Sequence, residues 1–299
     1  MSDGGPDPVE RDSRGILDPW LLRQRVQLTR YPAGPALAPL VCWFWAVRWD
    51  LPPGTMHRQQ LLPHPGANFS VSHPSAQPGD RQPGPVEARL NGVVRGLGTR
   101  VLVGQGWGVA ALARPGGLGA FIDGSADEFT DRVVPLGPAI GVDEAALVGQ
   151  ITAEPDEAAR VALLAAALER AVDPERAGPA AEVAEAARLA ETNREVRLLT
   201  DLCAMAGLGQ RTLQRMFLRY AGVSPTWVIR RYRLLEAAET VREGATVSWA
   251  EVAASLGYAD QAHLTRDFRA ATGQTPAAYA QAQRTKPDRT KPDRTPPDR

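Results

Sequence analysis

The sequence is poor in lysine, in cysteine and in long apolar runs. Its two lysines, Lys286 and Lys291, both lie in the last fifteen residues, so arginine carries the positive charge of the rest of the chain. No run of 18 or more apolar residues occurs, so neither a membrane-spanning helix nor a membrane partner is expected. The opening MSDGGPDPVERDSRG is acidic and polar and lacks an apolar core segment. It does not read as a secretory signal, and a cytoplasmic location is expected. Cys42 and Cys203 each sit inside an apolar run, as buried thiols of a reducing compartment do, and they fall in different predicted domains, which argues against a bridge. No G-x-S-x-G, Walker or dinucleotide-binding pattern is present, so no catalytic residue, no cofactor and no enzyme is expected. His57, His64 and His73 stand seven and nine residues apart beside prolines, with no H-x-H pair, so no metal site is expected.

What is present allows about two domains. The chain has 299 residues, of which 43% are hydrophobic, enough for each half to bury its own core. The net charge of zero conceals a division. Residues 1–193 hold 17 arginines against 23 acids, whereas residues 194–284 hold 12 against 8, and residues 285–299 add a further +2. A basic segment behind an acidic one suits a nucleic-acid partner for the C-terminal part alone.

That C-terminal part contains one unit twice. Gly207 recurs as Gly257 after 50 residues. Leu213, Arg215, Phe217, Gly222 and Pro225 recur as Leu264, Arg266, Phe268, Gly273 and Pro276 after 51, so the second copy has one extra residue in its turn. Each copy reads as a short helix, a glycine turn and a second helix. In the first copy Leu213, Met216, Phe217 and Tyr220 share the inward face, with Arg211, Gln214, Arg215 and Arg219 outward. In the second, Leu264, Phe268 and Ala271 face inward, with Ala262, Arg266 and Arg269 outward. Ser248 and Glu251 have the spacing of a capping box, and Gly257 is placed to end that helix. Ser224-Pro225 opens a longer helix ending at Gly244, with Val228, Tyr232, Leu235 and Ala238 on one side, which would hold the two units rigidly apart. Two short helices joined by a glycine turn, the second showing Arg and Gln to solvent, describe a helix-turn-helix.

AGLGQRTLQRMF, GVSP, EVAASLGYADQAHLTRDFR and TGQTP-x-x-Y resemble the DNA-binding domain of AraC/XylS-type transcription regulators, over residues 178–282. One departure is Leu198, which stands where the second copy has its capping Ser248. The resemblance implies duplex DNA as partner and makes room for a small-molecule effector, RNA polymerase and a second copy of the chain. On this reading Arg211, Gln214 and Arg215 of the first recognition helix, and Gln261, His263 and Arg266 of the second, are the base readers. Arginine suits guanine and glutamine suits adenine. Thr212, Arg219 and Arg269 are assigned to phosphates. For Arg215 and Arg266 the competing reading is pairing with acids on neighbouring helices.

Ahead of this region, 41–49, 59–72, 88–105 and 107–113 read as strands, with a loop at 74–85 and a helix near 126–132. The fold class expected is α+β in two domains: an N-terminal small β-barrel or sandwich and a C-terminal all-α double helix-turn-helix. ARPGGLGAFIDGSADEFTDRVVPL resembles the cupin-like N-terminal domain of a poorly characterised branch of the same family. The expected division is a flexible N-terminus (1–18), a β-rich sensing domain (19–150), a linker helix (151–177), the DNA-binding domain (178–284) and a disordered tail (285–299). Helices are expected over 154–172 and 180–199, separated by DPERAGP, which together form the covalent route between the domains. Trp43, Trp45, Trp49 and Trp107 are core residues on one reading and line a ligand pocket for an apolar or aromatic small molecule on the other. The function expected is a sequence-specific transcription regulator with an effector-sensing or dimerisation domain. The alternative is a small-molecule-binding or catalytic cupin-like barrel with an accessory DNA-binding domain, and a third is a protein-interaction module built on helix-turn-helix geometry.

Overall fold

The computed structural model describes residues 7–8, 22, 24–242 and 248–284. Most of the N-terminus expected to be flexible, the expected end of the long helix at Gly244, and the tail 285–299 lie outside the described residues. The protein is α+β in two domains, a sheet-rich N-terminal half and an all-helical C-terminal half.

The strands are β1 (Asp7–Pro8), β2 (Val26–Pro32), β3 (Val41–Asp50), β4 (Met56–Leu61), β5 (Asn68–Ser72), β6 (Glu87–Asn91), β7 (Gly98–Val103), β8 (Gln105–Ala113) and β9 (Val133–Pro135). Seven form an antiparallel sheet in the order β1-β2-β3-β8-β5-β6-β9, and β4 pairs with β7 in a second, two-stranded sheet. The expected strand 59–72 is two strands, because Pro63 and Pro65 cannot donate to a ladder. The expected strand 88–105 is likewise broken. Gly92 presses against Phe129 so closely that a β-carbon there would lie 1.8 Å from the Phe129 carbonyl oxygen, and the chain leaves the sheet until Gly98.

Period-two alternation puts Phe44 and Ala46 of β3, Phe69 and Val71 of β5, and Val109 and Ala111 of β8 on one face of the large sheet, all buried. Two helices not foreseen from the sequence follow the sheet, α1 (Leu136–Ile140) and α2 (Glu144–Ala153), the latter capped by Asp143, which accepts from the Ala146 amide at 3.0 Å. The next, α3 (Glu157–Ala171), lies across β3 and β8 with Val161, Leu164 and Leu168 buried, and Tyr31 of β2 donates to its Glu157 at 2.8 Å. The segment near 126–132 is one short 3-10 turn, Ala126–Phe129.

The helix expected from 180 begins earlier, as α4 (Pro174–Thr192). Asp173 accepts from the Glu175 amide and Pro174 occupies the first turn, so the Asp-Pro of DPERAGP is a helix start and not a joint. The Gly178-Pro179 pair, which reads as a break, is carried inside the helix. The helical half continues with α5 (Leu199–Ala206), α6 (Gln210–Ala221), α7 (Pro225–Arg242), α8 (Trp249–Ser255), α9 (Gln261–Thr272) and α10 (Pro276–Arg284). A single hydrophobic cluster runs from Phe44 and Phe69 through Leu118, Phe121 and Ala180 to Leu213, Phe217 and Leu264, so the two halves share one core.

Candidate nucleic-acid interface

Each repeat copy is a pair of helices meeting at a left-handed glycine. Gly207 (φ 67°) follows α5 and Gly257 (φ 75°) follows α8, conformations that L side chains rarely adopt. The second helix of each pair is amphipathic in the expected sense. In α6, Leu213, Phe217 and Tyr220 are buried, and Arg211, Gln214, Arg215 and Arg219 are exposed. In α9, Leu264, Phe268 and Ala271 are buried, and Gln261, Arg266 and Arg269 are exposed.

The two units hang on α7. Ser224 accepts from the Trp227 amide at 3.2 Å and opens that helix at Pro225. Val228, Tyr232, Leu235 and Ala238 are buried as expected, but so are Ile229, Arg231, Arg233, Leu234 and Ala237. Helix α7 is thus enclosed on nearly every side. Arg233, only 2% exposed, donates to the carbonyls of Ala190, Asn193 and Val196 and pairs with Glu236, so it ties α7 to the end of α4. Burial holds its guanidinium below the usual arginine range. Arg231 donates to the carbonyls of Pro63 and Arg95 in the N-terminal half, and its burial brings its pKa down to about 10 against the pull of Tyr258 and Asp131. The run RRYR signals cations, but nothing in the sequence tells which of them turn inward.

The N-terminal half is therefore in direct contact with the helical half. Thr130 donates to the Gly222 carbonyl at 2.6 Å, at the end of α6. A β-carbon on Gly119 would lie 2.3 Å from Tyr220 Cδ1, so only glycine permits this approach. Arg176 of α4 gathers the carbonyls of Gly119, Asp123 and Gly124 at 2.7–2.8 Å and stands over the Tyr220 ring at 5.5 Å. The DPERAGP segment, read as a joint, is thus an anchor, and the halves meet through packed surfaces as well as along the chain.

Among the described residues, Arg215 and Arg266 form no ion pair, so the reading that sets them against acids of neighbouring helices finds no support; Arg211 forms none either. Thr212 is half-buried, and Arg219 lies 5.7 Å from the Tyr220 ring. Of the six residues assigned to base reading, only His263 is partly withdrawn. Its ring meets that of Tyr258 edge-on at 5.1 Å and stands 3.9 Å from Asp267.

The structure does not bring the four tryptophans together. Trp43, Trp45 and Trp49 share the face of β3 opposite Phe44, but Trp107 pairs with Arg48 and so lies on the reverse face, under the Arg160 guanidinium at 3.9 Å. Trp49 is buried among Leu22, Val26, Leu51 and Leu102 and donates to the Val103 carbonyl at 3.1 Å, which makes it core. Trp43 and Trp45 are half-buried; Trp43 lies between Arg30 (4.4 Å) and His64 (5.4 Å), and Trp45 donates to Asn68 at 3.3 Å. Among the described residues no cluster of three His, Cys, Asp or Glu could hold a metal ion, Cys42 and Cys203 form no disulfide, and no helix is long and apolar enough to cross a membrane.

Residues 202–282 match a family model described as a helix-turn-helix domain. The C-terminal region is an AraC-type helix-turn-helix domain. Residues 29–135 match a second model, described as a domain of unknown function (DUF6597). No curated protein matches the chain. Among solved structures, the AraC-type region is similar to a transcriptional regulator with an AraC-type DNA-binding domain from Chromobacterium violaceum, at 26% identity over 38% of this chain and 99% of that one, with a TM-score of 0.33. A second is the C-terminal domain of AraT, a response regulator from Geobacillus stearothermophilus, at 22% identity over 38% and 93%, with a TM-score of 0.32. ToxT from Vibrio cholerae is similar at 9% identity over 86% and 98%, with a TM-score of 0.38. The AraC-type domain places the protein among DNA-binding transcription regulators.

Proposed function

We propose that the protein is a one-component transcription regulator whose two helix-turn-helix units read adjacent major grooves on one face of a duplex. The observation that carries this reading is the paired display on α6 and α9. Arg211, Gln214 and Arg215 on one, and Gln261 and Arg266 on the other, are exposed opposite buried Leu213 and Leu264, and the largely buried α7 runs between the two units. Successive major grooves on one face lie one turn, about 34 Å, apart, so one chain should protect an asymmetric site of two short boxes. His263 is the weakest of the six proposed readers, because Tyr258 and Asp267 already engage its ring. Thr212, Arg219 and Arg269 are proposed to grip phosphates, which fix register without specifying sequence.

Residues 178–284 are the proposed DNA-binding unit and residues 19–150 the effector-sensing or dimerisation unit. The contacts of Thr130, Gly119 and Arg176 with the end of α6 and the start of α4 support coupling between them. A ligand would act by binding one arrangement of this contact better than another. Trp43 and Trp45, half-buried on a face that also carries Asn68 and Asn91, are the proposed ligand contacts.

The test is selection of bound duplex from a random pool by the full chain, followed by footprinting. Two boxes one turn apart, with binding abolished by moving one box half a turn, is the expected outcome. A single protected box, or indifference to the half-turn shift, would refute the paired reading.

A further inference from the structure

The two faces of the large sheet are covered by different chemistry. The face toward α3 is apolar, with Phe44, Ala46, Phe69, Val71, Val109 and Ala111 all buried. The opposite face carries Trp45, Asn68, Ser70 and Ser72, continued by Glu87, Arg89 and Asn91 on β6. The β4–β7 sheet closes over one end of this polar face, where Leu102 packs on Trp49 and the Val103 carbonyl accepts from it. Ser70 and Ser72 are accordingly only 7% and 6% exposed. At the other end Trp43, Asn68 and Asn91 are half-buried, so the region between the sheets opens to solvent there.

Most polar groups of this face satisfy one another. Trp45 donates to Asn68 at 3.3 Å, Asn91 to Ser70 at 3.0 Å, and Arg89 pairs with Glu87 at 2.7 Å. Arg100 is the exception. It stands on β7 opposite the buried Gln59 and reaches the large sheet, donating through Nη2 to Ser72 Oγ at 3.1 Å and to the His73 carbonyl. Among the described residues its Nη1 donates to nothing and its guanidinium forms no ion pair. Burial holds that guanidinium below the usual arginine range, against the pull of Glu87. With Glu87 already paired to Arg89, one positive charge is left between the sheets without a counter-ion. An unpaired charge in such a place is costly unless an anion completes it.

We infer that the region between the two sheets binds a small aromatic monocarboxylate, with its carboxylate on Nη1 of Arg100 and its ring against Trp45. Trp43 carries Arg30 and His64 on its ring, whereas among the described residues no ring or guanidinium covers that of Trp45. Trp45 is level with Ser70, and Arg100 with Ser72, two residues further along β5. That separation is about 7 Å, which suits an aryl acid of one ring. The inference deepens the reading of residues 19–150 as an effector-sensing unit, on which it rests. At the open end His64 touches both Trp43 and Tyr232 of α7, and Pro63 accepts from Arg231, so the β4–β5 loop there rests on the helical half.

The test is calorimetry and thermal unfolding of the full chain with benzoate, phenylacetate and 3-phenylpropionate, each against its neutral amide. At least one acid should bind about tenfold more tightly than its amide. Arg100→Gln should abolish that preference, Arg100→Lys should restore part of it, and Trp45→Leu should weaken acid and amide alike. An Arg100 that is only a strut between β7 and β5 would lower the unfolding temperature of Arg100→Gln and leave the acid preference intact, which overturns the inference. If Arg100→Gln does not fold, the acid–amide contrast in wild type and its loss of strength in Trp45→Leu decide instead. No binding by any acid, or equal binding of acids and amides, also overturns it. Inorganic phosphate binding as tightly as the best acid would make this a site for a free anion and remove the aromatic assignment. The two-box reading is measured without any acid and is untouched by these failures. An acid that binds as described yet leaves affinity for the selected duplex unchanged sustains the site and defeats the effector-sensing reading.

Discussion

The two helix-turn-helix units have the same plan and are held together by opposite means. Neither helix of the first unit has a side-chain cap, since Leu198 and Gly209 stand at the starts of α5 and α6. That unit is instead fixed from outside, by Thr130 on the Gly222 carbonyl, Gly119 against Tyr220, and Arg176 over the same ring. Both helices of the second unit are capped by their own side chains, Ser248 and Asp260, and it packs around a local aromatic group of Trp249, Phe268 and Tyr279. Its contact with the N-terminal half at the repeated glycine is slight, with Leu97 at 3.7 Å from a β-carbon on Gly273. One repeat thus draws its order from tertiary docking and the other from local structure. Any signal from the N-terminal half meets the first unit before the second.

The largest test of this contrast is a substitution at one repeat position in both copies. Gly222 and Gly273 share φ 77°, so alanine is strained at either by about 1–2 kcal/mol. At Gly222 the new β-carbon would also lie 2.6 Å from the Ala126 carbonyl oxygen, backbone that cannot yield without opening the interface. Gly222→Ala should therefore cost about 3 kcal/mol or more, and Gly273→Ala only about 1–2 kcal/mol. Chemical denaturation of the two variants measures the difference. Equal losses would show that the first unit is not held by the N-terminal half.

Next in size is the division between reading and anchoring. Arg215→Ala and Arg266→Ala should each remove about 1–3 kcal/mol of discrimination at a single box, the first box for Arg215 and the second for Arg266. Arg219→Ala should weaken every sequence alike and flatten the salt dependence. Binding selections on each variant distinguish the cases. If Arg215→Ala and Arg266→Ala lose affinity uniformly with preference intact, those arginines are anchors and the proposed readers must be sought elsewhere on α6 and α9.

The repeat was legible because helix-turn-helix geometry is local. The glycine turns, the apolar spacing of Leu213 and Phe217 and of Leu264 and Phe268, and the outward arginines all follow from residues within one or two turns of one another. What escaped was set by distance. The burial of Arg231 and Arg233 depends on carbonyls of Pro63, Arg95, Ala190 and Val196, up to 168 residues away in sequence. The start of α4 differs from expectation for another reason: Asp173-Pro174 is a local capping signal, but the whole DPERAGP segment reads as a separator between two helices. The four tryptophans divided between two faces because the register, which pairs Arg48 with Trp107, puts Trp107 opposite to Trp49. No spacing within β3 could reveal that.

The smallest test exchanges the caps. Ser248 accepts from the Glu251 amide at the start of α8, and Ser248→Ala should cost about 1 kcal/mol. Leu198 holds the matching place in the first unit and is 59% exposed, so replacing it loses little packing. Leu198→Ser would supply the missing acceptor to the first turn of α5. If that turn were held by its own sequence, the gain would approach the loss at Ser248, about 1 kcal/mol. Because Asp201 already orders the approach to α5 by accepting from Arg197 and Leu198, at 3.0 and 2.8 Å, the gain should be smaller, about half that. Leu198→Ser should therefore stabilise the protein by about 0.5 kcal/mol. Thermal unfolding of the two variants measures both changes, and a gain at Leu198 equal to the loss at Ser248 would show that the first turn of α5 is held by its own sequence alone.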